Sequence, residues 1–101
     1  MTEHDIEQRA RAKMNRSKWV YWFPPHSWKR ERDIFGVFDV VALHSGKFIF
    51  IQLTSIQHIS DREKKILAWE KNNGQELPAG SAEVWAWDER KSAFIVREIC
   101  K

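Results

Sequence analysis

The chain has 101 residues, 43% of them hydrophobic, and 17 Lys or Arg against 14 Asp or Glu give it a net charge of +3. That length fits one domain, 1–101, on a modest core and leaves no room for a second. The one cysteine, Cys100, excludes a disulfide framework or a thiolate metal cluster and points to a reducing, cytoplasmic setting. No apolar run approaches the roughly 18 residues of a membrane span, and the polar start Met1-Thr2-Glu3-His4-Asp5 lacks the features of a signal peptide, so no membrane partner is expected.

Thr2-Glu3-His4-Asp5 has the pattern of a capping box, and Ile6, Ala10 and Met14 recur at helical spacing. Together they predict a helix over 3–14 with a basic opposite face. Trp19-Val20-Tyr21-Trp22-Phe23 reads as a strand stopped by Pro24-Pro25, which cannot continue a ladder. A charged connector over 26–35 follows, and Gly36 opens a hairpin of two apolar runs, 37–43 and 48–54, around His44-Ser45-Gly46-Lys47. Ser60-Asp61-Arg62-Glu63 is a second capping-box pattern. It heads a helix whose Ile59, Glu63, Ile66, Leu67 and Glu70 share a face, whose Arg62, Lys65 and Trp69 share another, and which stops at Asn72-Asn73-Gly74. After a Pro/Gly loop over 76–81, the runs 82–87 and 93–99 alternate as two strands around Asp88-Glu89-Arg90-Lys91. The order αβββαββ defines an α/β (α+β) fold with a central mixed sheet flanked by two helices.

The hairpin carries the chemistry. Its short turn pairs Leu43 with Phe48, Val41 with Phe50, Asp39 with Gln52 and Val37 with Thr54, and alternation puts all eight on one face. Opposed residues have Cβ atoms about 4.5–5.5 Å apart, so the Asp39 carboxylate and the Gln52 amide oxygen can reach one small ion. A carboxylate in an otherwise apolar strand costs several kcal/mol unless it is paired or coordinated. The pair is either a metal site or a well-bonded structural polar pair.

Eight cations precede the hairpin: Arg9, Arg11, Lys13, Arg16, Lys18, Lys29, Arg30 and Arg32. Interleaved Trp and Tyr residues complete a pattern that suits nucleic acid, with cations meeting phosphates and rings stacking on bases. Most of the six Trp are nevertheless expected in the core.

The element order, with Gly36-Val37-Phe38-Asp39 on one strand and Ile51-Gln52-Leu53-Thr54 on the next, resembles the PD-(D/E)XK nuclease superfamily, especially its small Holliday-junction-resolvase-like members. The resemblance covers most of the chain and implies a restriction-endonuclease-like fold. In that superfamily an Asp on the second core strand and an acidic-x-Lys motif on the third hold magnesium. Asp39 takes the place of that Asp, Gln52 of the acidic residue, Leu53 of the middle position whose carbonyl is a ligand, and Thr54 of the lysine. Gln for the acid and Thr for the lysine depart from the pattern. The resemblance thus implies Mg²⁺ or Mn²⁺ held by Asp39, Gln52 and Leu53. Thr54 can orient a water; Asp33 is either a second carboxylate folded in from its loop or a plain loop residue bonding its own backbone, and Lys65 or Arg62 either stands in for the missing cation or belongs to a solvated helix face. The implied partner is DNA, contacted by Arg9, Lys13, Arg16, Lys29, Arg30, Arg32 and Arg62, and the implied assembly is a homodimer.

Other chemistry is excluded or weak. His4, His26, His44 and His58 have no ligand spacing, Cys100 has no activating neighbour, and no glycine-rich phosphate loop calls for a nucleotide cofactor. Two functions remain: a metal-dependent DNA endonuclease acting on branched or structured DNA, or a degenerate nuclease-fold module that binds DNA or protein without cutting.

Overall fold

Thr2 begins the first helix as its sequence pattern requires. In the computed structural model, which describes residues 1–25 and 33–99, Thr2 Oγ1 accepts the Asp5 N–H at 3.2 Å and Asp5 Oδ2 accepts the Thr2 N–H at 3.0 Å. These bonds to Thr2 hold the exposed Asp5 carboxyl below its ordinary pKa. Helix α1 (Glu3–Arg16) outlasts the predicted span by one half-turn and buries Ile6, Ala10 and Met14. The strands are β1 (Val20–Trp22), β2 (Val40–His44), β3 (Lys47–Ser55), β4 (Ala82–Asp88) and β5 (Ala93–Glu98), with α2 (Ile59–Asn73) between β3 and β4.

The five strands lie in sequence order across one sheet. All neighbours are antiparallel except β3 and β4, which run parallel because α2 carries the chain from one to the other. The predicted α+β order and mixed sheet are therefore present. On one face, Ala10 and Met14 of α1 pack with Val40, Ala42, Ile51 and Trp85. On the other, Ile66 of α2 packs with Phe38, Val37, Ala82, Val84 and Ile99. Phe38, Ile51, Ile66 and Val84 are wholly buried and Trp85 nearly so, and each such side chain contributes about 1.5–3 kcal/mol through burial.

Three boundaries differ from the sequence expectation, each for a local reason. Strand β2 begins at Val40, not Val37, because residues 33–38 close a turn of their own: Ile34 and Phe38 exchange backbone bonds of 2.7 and 3.0 Å. Phe35 and Gly36 sit there in the left-handed region, at φ 57° and 72°. Glycine adopts that conformation freely, and Phe35 is held in it by ring contacts to Trp69 and Phe50 at 5.4 and 6.0 Å. Ser60 is not a helix cap. A 3-10 turn, Ile56–His58, feeds straight into α2, whose cap position is His58 with no side-chain cap bond. Leu67, expected on the buried face of α2, is 43% exposed, whereas Ile59, Ile66 and Glu70 are buried. The predicted stop holds: Gly74 adopts φ 61° and returns its N–H to the last turn.

Candidate functional site

The ladder between β2 and β3 has the register set by the turn, with Leu43 opposite Phe48 and Val41 opposite Phe50. It breaks one residue short of the expected pair. The Asp39 N–H donates to the Ile51 carbonyl at 2.9 Å, although Ile51 is already the partner of Val40. This bulge-like offset re-aims the side chain. Asp39 Oδ2 accepts the Leu53 N–H at 2.7 Å, and Asp39 forms part of the wall of a cleft of about 310 Å³.

The cleft lies at the C-terminal end of β3, between the first turns of the two helices. Leu53, Thr54 and Ser55 come from β3, Glu3, His4 and Glu7 from α1, and His58 and Arg62 from the start of α2. Asp33 also lines it, because the Ile34–Phe38 turn doubles the chain back and sets Asp33 beside Asp39.

Burial pushes the Asp39 carboxyl up to about 7, against the opposing effect of the Leu53 N–H; the Asp33 and Glu3 carboxylates raise it further and the Arg62 guanidinium lowers it. Arg62 is the cleft's cation, and its Nε is buried without an acceptor among the described residues. Glu7 is tied to Arg11 at 2.9 Å.

The other candidates distribute unevenly. Thr54, 5% exposed, lines the cleft. Gln52 does not: it is 3% exposed, and its Oε1 is buried with no donor among the described residues, which costs about 1–3 kcal/mol if it stays unmet. The expected Asp39–Gln52 juxtaposition is thus lost to the offset at Asp39. Lys65 is exposed and outside the cleft wall, so of the two helix cations only Arg62 reaches the site. Among the expected phosphate contacts, Arg9 lies over the Trp87 ring at 5.3 Å and Lys13 over Trp85 at 5.6 Å, while Arg16 is exposed. Lys29, Arg30 and Arg32 lie outside the described residues. Trp85 and Trp87 are core, Trp19 and Trp69 are half-buried, and Trp22 is 48% exposed.

Glu3 was legible only as part of a capping motif. Its place in the site comes from the docking of α1 on the sheet, and the one sequence signal was its i,i+4 spacing to Glu7 on the flank of the Ile6–Ala10–Met14 stripe. The donor set of Glu3, Asp33 and Asp39 is the hard-oxygen chemistry that Mg²⁺ and Mn²⁺ take. Among the described residues no three His, Cys, Asp or Glu side chains are gathered closely enough to form a ready ligand set, so an ion would have to draw these carboxylates together. No family model, curated protein or solved structure matches the chain. No helix among the described residues is long and apolar enough to cross a membrane.

Proposed function

We propose that the chain is a metal-dependent DNA endonuclease of the PD-(D/E)XK type, with a restriction-endonuclease-like arrangement of its sheet and a preference for branched or structured DNA. The observation that carries this reading is the position of Asp39: a half-buried carboxyl at the end of the ladder, fixed by the Leu53 N–H, sharing one cleft with Asp33, Glu3 and Arg62.

Asp39 would be the principal ligand for Mg²⁺ or Mn²⁺, with Asp33 and Glu3 drawn in to complete a carboxylate set in place of Gln52. Such an ion would supply charge stabilisation at the phosphate and a more acidic water. The chain's own groups do the rest. Leu53 orients Asp39, Arg62 meets a nonbridging phosphate oxygen, and the Thr54 hydroxyl orients water without supplying charge. Incubating the protein with junction and duplex DNA tests the reading. Cutting is expected in Mg²⁺ or Mn²⁺, absent in chelator and absent in Asp39→Asn, with DNA binding retained; equal cutting by a folded Asp39→Asn overturns it.

A second reading, a nuclease-fold module that binds DNA or protein without cutting, is favoured by Thr54 standing where a lysine is expected and by Gln52 lying away from the cleft. It predicts salt-sensitive DNA binding, or none, and no metal-dependent cutting at any pH.

A further inference from the structure

Hydrolysis of a phosphodiester needs a group that takes the proton of the attacking water. The cleft that holds Asp39 offers few. Thr54, where the resemblance places a lysine, carries a hydroxyl that orients water but does not hold a second proton near neutrality, and the Ser55 hydroxyl is no better. Asp39 is bonded to the Leu53 N–H, Glu7 is paired with Arg11, and the chain's amino group at Met1 is paired with Glu89 at 3.6 Å. Asp33 and Glu3 are the carboxylates that an ion would draw in. His4 from α1 and His58 from the start of α2 are the remaining bases of the wall, and histidine is the side chain most often used for proton transfer.

Two observations single out His58. The first is its spacing to Arg62. His58 occupies the cap position of α2 and Arg62 follows it by four residues, the interval that sets side chains one turn apart on the same helix face, with Cβ atoms roughly 5–6 Å from each other. Both residues line the same cleft. A phosphate held by the Arg62 guanidinium therefore lies within about one helical turn of the imidazole, and a water attacking that phosphate has a base beside it.

The second observation is a carboxylate next to one ring nitrogen: His58 Nδ1 lies 3.9 Å from Asp61 Oδ2. A carboxylate there favours the tautomer with the proton on Nδ1 and leaves Nε2 as the acceptor. The contact is longer than a hydrogen bond, as contacts of catalytic bases often are before substrate binds. The His58 side chain is 56% exposed, so its ring is open to water and to a substrate.

We propose that His58 is the general base of this cleft, with Asp61 as the positioning residue that fixes its tautomer; the role rests on the nuclease reading. As the water oxygen bonds to phosphorus, its proton passes to His58 Nε2. The bond from phosphorus to one sugar oxygen breaks, that oxygen leaves with the bonding pair and takes a proton from solvent, and the imidazolium returns its own proton to solvent. The products are a phosphomonoester and a sugar hydroxyl.

The test is single-turnover cleavage of junction DNA in Mg²⁺ by the native chain, His58→Gln, His58→Gly and Asp61→Ala, with DNA affinity measured in parallel. His58→Gln should cut about a hundred-fold more slowly or worse, with its DNA affinity unchanged. Asp61→Ala should lose less, because it removes the orientation of the base and not the base. Glycine is accepted at a helix cap and leaves room for a small molecule, so free imidazole should restore part of the rate of His58→Gly and add nothing to the native rate. Nitrogen chemical shifts of the His58 ring, read in alkaline solution without metal, should show mainly the Nδ1–H tautomer in the native chain and a move toward Nε2–H in Asp61→Ala. A native ring held as the Nε2–H tautomer overturns the proposal, and so does slow cutting by both His58 variants with no recovery in imidazole, which marks a structural role. Native cutting that a folded His58→Gln retains in full removes the base and leaves the nuclease; a native chain that cuts no DNA removes both.

Discussion

The Leu53 N–H donates to Asp39 Oδ2 at 2.7 Å, joining the residue just before β2 to the backbone of β3. The bond fixes the direction of the carboxyl and favours its charged form. Burial outweighs it, so the carboxyl titrates at about 7, with Asp33 and Glu3 adding to the rise. The cleft thus holds a group that exchanges its proton near neutrality.

Stability should fall with rising pH because of this group. An unfolded aspartyl titrates near 3.8, so between that value and about 7 the folded chain keeps a proton that the unfolded chain has released. The contribution is complete below the unfolded value and is lost as pH rises through the folded one, by a few kcal/mol at most. Asp39→Asn keeps an acceptor for the Leu53 N–H and carries no charge. Urea unfolding should find it close to the native protein near pH 4 and more stable by about 1–3 kcal/mol near pH 8. Native stability that rises between these pH values through Asp39 would contradict the assignment.

A divalent cation should reverse that loss. It binds the ionised carboxylate of the folded chain and finds no comparable site in the unfolded one, so Mg²⁺ or Mn²⁺ should raise the Tm of the native protein near pH 8 and much less near pH 5, where a proton occupies the site. Asp39→Asn should show little metal-dependent shift at either pH. Thermal melts with and without the ion, in native and variant proteins, separate this site from adventitious carboxylate binding at the surface.

Much of the fold was legible because local chemistry and tertiary structure agree. Thr2 and Asp5 cap α1, the turn over 44–47 sets the β2–β3 register, and Gly74 ends α2. The site was less legible, because its geometry depends on interruptions of regular structure. Extrapolating the ladder by one pair placed Asp39 against Gln52, but the Asp39 N–H bonds to Ile51 instead and turns the carboxyl into the cleft. The left-handed residues Phe35 and Gly36 bring Asp33 alongside, and only docking of α1 on the sheet adds Glu3. Ser60 matched a capping motif that the 3-10 turn before it pre-empts.

DNA affinity, where present, should follow phosphate contacts made by basic groups around the cleft. The slope of log affinity against log salt changes by about 0.9 for each phosphate contact. Arg16→Ala removes an exposed charge at the end of α1, and Arg62→Ala removes the cation of the cleft. Each should reduce the slope by about 1, and Arg62→Ala should additionally slow cutting, because its guanidinium lies beside the reacting phosphate in the proposed centre. Fluorescence anisotropy across a salt series reads the first effect, and single-turnover cleavage the second. Affinity that is flat with salt would point to a protein partner.

Thr54→Lys is the most direct engineering test of the cleft. Thr54 is 5% exposed and shares the cleft wall with Asp39 and Arg62, so under the proposed function a lysine there would place its ammonium toward the phosphate while its stem follows the wall. A preorganised donor aimed at developing negative charge is worth about 2.7–4 kcal/mol, roughly 10²–10³ in rate, and a flexible ammonium less, so a gain of about ten-fold or more in single-turnover cleavage is expected. The longer side chain also overpacks a well-filled strand and should cost about 1–3 kcal/mol of stability, read by urea denaturation. Thr54→Met, similar in length and uncharged, should pay a similar stability cost without the rate gain. If both variants leave cutting unchanged, position 54 does not face the reacting phosphate; if both raise it equally, the gain comes from packing and not from charge.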